Sequence, residues 1–168
     1  MNVHRKALLL AVSGVAVSAL TSWAAAQAPD AIAAPGETIV VTVHAEGAQI
    51  YECKADAGGK LVWAFREPIA TLLLAGKTVG RHYAGPSWEH SDGSAVVGGA
   101  VARIAGATPR DIPWLKLEAT GRGGNGILSG VTTVQRINTQ GGAAEGGCDQ
   151  VGAFLSIPYA AEYVFLRR

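Results

Sequence analysis

The sequence predicts an all-β fold: a single-domain sandwich or barrel of about eight to ten short antiparallel strands, with little helix. Three observations predict it. All but one of the 22 glycines lie beyond residue 26, where they punctuate the chain as turns. Val, Ile and Thr dominate the segments between those turns, a composition suited to pleated strands. These segments recur at regular spacing, and almost none carries the 3.6-residue period of an amphipathic helix.

Residues 1–26 read as a signal peptide. His4, Arg5 and Lys6 form a basic start, Ala7–Leu20 is apolar or small, and Ala24-Ala25-Ala26 offers a cleavage site before Gln27. The apolar run of about 14 residues is shorter than the roughly 20 that span a bilayer. The expectation is an exported protein, periplasmic or extracellular, with no membrane span after cleavage. About 142 of the 168 residues then remain, enough for one domain with a core. Loss of Arg5 and Lys6 turns the formal charge from +1 to −1, so no basic field invites nucleic acid. Two cysteines, Cys53 and Cys148, stay in the exported part. In an oxidising compartment two such thiols usually pair, the alternative being two buried free thiols. Neither sits in a Cys-x-x-Cys motif, which argues against a catalytic dithiol.

Residues 27–37, with Pro29 and Pro35, read as a flexible or extended lead-in to a domain at 38–168. Thr38–His44 is a strand with Ile39, Val41 and Val43 on one face and His44 on the other, solvated one. Ala45-Glu46-Gly47 reads as a turn into a partner strand, Ala48–Cys53. Leu61, Trp63 and Phe65 alternate with Lys60, Val62, Ala64 and Arg66 as the clearest half-buried strand, which makes Trp63 a core residue. Glu67–Leu74 fits either a helical turn or a buried strand. Ser94–Ile104 is a strand in which Gly98-Gly99 suggests a bulge or close packing. Ile112–Ala119 is strand-like, with Pro113 at its start or edge. A Gly-rich turn at 121–126 leads to a strand at Ile127–Thr139, and Gly152–Ile157 and Glu162–Leu166 complete the chain.

The stretch Val79–Ser94 gathers the most chemistry: Arg81, His82, Tyr83, Trp88, Glu89, His90 and Asp92. Asp92-Gly93 is a hairpin signal. As a two-residue loop it would pair Ser91 with Ser94, His90 with Ala95 and Glu89 with Val96. If Ala84-Gly85-Pro86 is a three-residue loop, Tyr83 pairs with Ser87, His82 with Trp88 and Arg81 with Glu89. Alternation then places Arg81, Tyr83, Ser87 and Glu89 on one face and His82, Trp88 and His90 on the other. A four-residue loop would instead set His82 opposite Glu89, a general base beside its orienting carboxylate.

Other motifs carry less. Gly121-Arg122-Gly123-Gly124-Asn125-Gly126 matches the dinucleotide fingerprint, but a strand-like segment follows where the motif needs a helix, so no nicotinamide site is expected. His82, His90, Glu89 and Asp92 lack the spacing of a zinc module, and no metal or other cofactor is expected.

Several ordered pieces resemble a known family. They are Gly47–Cys53, Trp63 with Pro68, Val79–Glu89 followed by Asp92-Gly93-Ser94, Ile112–Leu115, Val134–Gly142, Cys148 and Ile157–Tyr163. Together they resemble the uncharacterised exported family called domain of unknown function 3455, over about Thr38–Leu166. The resemblance implies a secreted domain whose two cysteines are paired framework positions, and it brings no activity or catalytic residues. The leading functional expectation is a non-enzymatic binding or envelope module for a small polar or carbohydrate ligand, contacted by Arg81, Tyr83, Trp88, Glu89 and Trp114. One alternative is a small hydrolase or isomerase using His82 with Glu89 or Asp92. The other is a purely structural secreted module.

Overall fold

A computed structural model describes residues 29–168; the signal peptide expected at 1–26 lies outside them. Eight strands run in chain order: β1 (Thr38–Ala55), β2 (Leu61–Leu74), β3 (Lys77–Tyr83), β4 (Ser87–His90), β5 (Ala95–Ile104), β6 (Trp114–Gly123), β7 (Thr133–Gly141) and β8 (Phe154–Arg167). Each pairs antiparallel with the next, and β8 returns to β1, so one sheet closes into an up-and-down barrel. The all-β expectation holds, at the lower end of the expected strand count. Among the described residues no helix is long and apolar enough to cross a membrane.

Closure decides which residues form the core. In a barrel, alternate residues of every strand face the lumen. Along β1 the buried positions Val43, Ala45, Gln49, Tyr51 and Cys53 follow that period of two. Across the ladder, Ala70, His82, Trp88 and Val96 lie opposite one another in succession and are all buried. Trp88, Tyr163 and Phe165 form the aromatic centre, with ring centroids 5.2 and 6.0 Å from Trp88.

Several strands are longer than the sequence suggested. Ala45-Glu46-Gly47 is no turn: β1 passes through it unbroken while pairing with both β2 and β8. Gly47 is there because a Cβ would run into the Ile69 carbonyl and Ala70, so the glycine marks a close approach of backbones. Glu67–Leu74 takes the strand alternative and extends β2, and β8 runs through Pro158 as one strand. Phe65 is mostly exposed and Trp63 only half-buried, because this end of β2 projects to the barrel rim.

The segment 127–132 is the clearest correction. It forms turns instead of strand, and β7 begins at Thr133. Leu128 and Val131 are buried with the lumen core, closing one end of the barrel. Asp92 fixes this plug: its carboxylate accepts from Ile127 N at 2.8 Å, and Ser94 Oγ accepts from Leu128 N at 3.1 Å.

Residues 29–37, expected as a loose lead-in, pack on the outer wall. Ile32 is fully buried with Ile137, Val164 and Leu166. Gln135 Nε2 donates to Ile32 O at 2.7 Å, and the Glu37 carboxylate accepts from the Thr132 and Thr133 hydroxyls, each at 2.9 Å. At the opposite end from the plug, Cys53 in β1 is bonded to Cys148 in the β7–β8 loop, as expected. Closing a 95-residue separation contributes on the order of ~4–5 kcal/mol by loop-closure entropy.

Candidate functional site: the barrel lumen

The register of β3 against β4 is the one a three-residue loop predicts: Arg81 opposite Glu89, His82 opposite Trp88, Tyr83 opposite Ser87. The next hairpin differs from its expected register. Glu89 faces Ala95 and Trp88 faces Val96, while His90 N donates to Ser94 O at 2.9 Å. The loop is therefore Ser91-Asp92-Gly93, with Gly93 at φ +87° in the left-handed position that ends a three-residue turn. Asp92 is held well below the usual carboxylate range by hydrogen bonds from Ser94 and Ile127, so it serves the turn and the plug.

Strand parity splits the expected site across the barrel wall. Arg81, Tyr83 and Glu89 stand outside. Arg81 Nη2 meets Glu89 Oε2 at 2.8 Å, Tyr83 donates to the same oxygen at 3.3 Å, and the guanidinium lies over the Tyr83 ring at 5.1 Å. The hydrogen bond from Arg81 holds the Glu89 carboxyl below its ordinary range. This group satisfies itself on a convex wall. Trp114 also faces outward, packed with Ile32 and its neighbours beneath residues 29–37. Among the five expected ligand contacts, Trp88 alone lines the lumen cavity.

His82 is inside with Trp88. The two rings stack at 4.5 Å with planes 7° apart, and Tyr163 meets the imidazole edge-on at 4.9 Å. Nδ1 lies 2.8 Å from Ser87 O, a carbonyl that can only accept, so the ring proton sits on Nδ1. Burial pushes the His82 pKa down to about 4, leaving the ring neutral near pH 7. Glu89 points to the other face and Asp92 is bound to the plug. The His82–carboxylate pair expected for the hydrolase or isomerase alternative is therefore not formed.

Above this aromatic floor the lumen is hollow. A cavity of about 580 Å³ runs from His82, Trp88 and Tyr163 to the disulfide-bearing end, where Phe65, Gly85 and Pro113 surround its mouth. Its wall is mainly apolar. The polar groups that line it are Gln49, Tyr51, His82, Tyr163 and three arginines, Arg66, Arg103 and Arg136; no Asp or Glu is among them. Arg66 is committed elsewhere, 3.1 Å from Glu67 and over the Phe154 ring. Arg136 lies half-buried, opposite Leu115 on one side and Tyr163 on the other, and its Nε and Nη2 donate to Pro113 O at 3.0 and 2.8 Å.

Two donors behind this wall lack a standard hydrogen bond among the described residues, Gln49 Nε2 and Trp88 Nε1, although Gln49 lies against the Tyr159 phenol as a weak donor. A buried donor left unpaired costs about 1–3 kcal/mol, so such groups are rare unless something else completes them. The third unpaired donor, Trp114 Nε1, sits outside the lumen.

Sequence reasoning missed Gln49, Arg103 and Arg136, because a polar residue in an alternating strand reads as solvent-facing. A signal was nonetheless present. The segments that carry the family resemblance contain Gln49, Tyr51, Pro68, His82, Arg136 and Tyr163, which all line the lumen.

Fold and site thus define a closed eight-stranded β-barrel, plugged at one end and hollow at the other. The chain belongs to the family described as protein of unknown function DUF3455, whose family model matches residues 33–167. No curated protein and no solved structure matches the chain at a significant level.

Proposed function

We propose that this protein is an exported, non-enzymatic binding barrel that holds a small molecule in its lumen. The observation that carries the reading is the open, mainly apolar cavity of about 580 Å³ with Arg103 and Arg136 among its few polar lining groups. Eight strands give an interior that is either filled by side chains or wide enough for one small ligand. The volume falls in the range of ordinary ligand pockets, with the mix of apolar wall and few polar groups such pockets use. Export rests on the sequence of residues 1–26, and the Cys53–Cys148 disulfide fits it.

This reading moves the ligand from the outer hairpin face to the lumen. The Arg81–Tyr83–Glu89 group lies outside the lumen cavity, and a sugar stacked on Trp88 would have to enter the barrel.

The test is a thermal-shift screen of the disulfide-bonded protein against organic acids, aromatic compounds and sugars, repeated on Ala100→Trp. Ala100 is an exposed lining residue, so an indole there fills the mouth from the rim. At least one compound should raise Tm in the native chain and lose its effect in the variant. If no compound does so, the barrel is a structural module.

A further inference from the structure

We infer that the lumen takes an organic acid: an apolar, ring-bearing body over the His82–Trp88 floor, with one anionic group drawn to Arg136 and Arg103. The inference rests on the lumen-binding reading proposed above and adds the charge class of the ligand.

The polar inventory of the cavity is one-sided. Arg103 and Arg136 line it, and neither takes part in an ion pair among the described residues. A half-buried guanidinium without a counter-ion is unfavourable, since desolvation of a charge is repaid only by an opposite charge or a full set of hydrogen bonds. Pro113 O occupies Nε and Nη2 of Arg136 and the Tyr163 hydroxyl is a further neighbour, but a guanidinium carries five N–H donors, so the group retains capacity on its remaining protons. The Arg136 charge is felt by Tyr51, His82, Tyr159 and Tyr163, so its field extends through the lumen.

Gln49 Nε2 and Trp88 Nε1 are sealed within the wall, so the charged donors the cavity itself offers are the guanidinium protons of Arg136 and Arg103. An anionic group such as a carboxylate or sulfonate accepts from these donors and neutralises their charge together, whereas a neutral sugar leaves the charge uncompensated. The rest of the lining is apolar or aromatic, including Pro68, Pro86, Ile112, Leu115 and Leu117. That wall calls for a hydrophobic body behind the anionic group.

A matched pair of fluorescent probes tests this. 8-Anilino-1-naphthalenesulfonate and N-phenyl-1-naphthylamine share a ring system and differ by the sulfonate. Titrated into the disulfide-bonded protein at low salt, the sulfonate dye should bind about tenfold more tightly, as a charge-assisted contact provides. Arg136→Gln should erase that preference. Because Arg136 also supports Pro113, Arg103→Ala serves as a second variant at an exposed rim position, and it should weaken the sulfonate dye while leaving the neutral dye unchanged.

Equal affinity for the two dyes, with both lost in Ala100→Trp, would overturn the acid and leave lumen binding standing. Failure of both dyes to bind, or binding that survives Ala100→Trp, would overturn both readings.

Discussion

His82 shows how one residue can look catalytic in sequence and be structural in the fold. It is enclosed by Trp88, Tyr163 and the Ser87 carbonyl, and the neutral ring is the form that fits. With a folded-state pKa of about 4 against about 6.5 unfolded, the unfolded chain binds the extra proton first as pH falls. Stability is therefore full above pH 6.5 and declines toward pH 4, by about 3 kcal/mol from this residue alone. Denaturant unfolding between pH 7 and pH 4 should show that decline in the native chain and a flatter profile in His82→Phe, which keeps an aromatic ring against Trp88. A variant profile as steep as the native one would assign the acid sensitivity to other groups.

At the scale of elements, the outcome depended on whether local pattern and burial agreed. The β3–β4 hairpin was legible because its loop length fixes the register and the register fixes the faces: Arg81 and Glu89 outside, His82 and Trp88 inside. The segment 127–132 was not. Ile127, Val131 and Thr132 give it a strand's composition, yet it is buried as a plug held by Asp92 and Ser94, and no local pattern announces that role. Gly47 misled for a similar reason, since a glycine needed for close backbone approach looks like a turn glycine in sequence. Gln49 and Arg136 were hidden by the barrel itself. Their inward direction is set by pairing with strands more than 20 residues away in the chain. The plug can be checked directly. Leu128→Ala should cost about 2–4 kcal/mol in denaturant unfolding, as for a fully buried leucine whose site cannot collapse. A loss below 1 kcal/mol would mean that the end is sealed by the backbone alone.

For the whole molecule, the controlling fact is that β1 bonds to β2 on one side and β8 on the other. Most of the ladder is held from both flanks and takes up an extra residue only at a register shift, as between Ala100 and Ala102 in β5; an insertion elsewhere turns the side chains beyond it from lumen to solvent. Length changes most easily at the barrel ends, and the plugged end is tied down by Asp92. At the open end the loops at 105–113 and 142–153 are tied by Asp111 and the disulfide, so the chain has room to vary at their exposed positions, such as 145–147. An insertion of Gly-Ser between Gly146 and Gly147, both exposed, should leave Tm within about 2 °C, whereas one extra residue after Gln135 in β7 should abolish cooperative melting. Both loops lie at the mouth of the lumen. The same closure that freezes the scaffold thus leaves the entrance as the part of the molecule whose length and sequence can change at least cost to the fold.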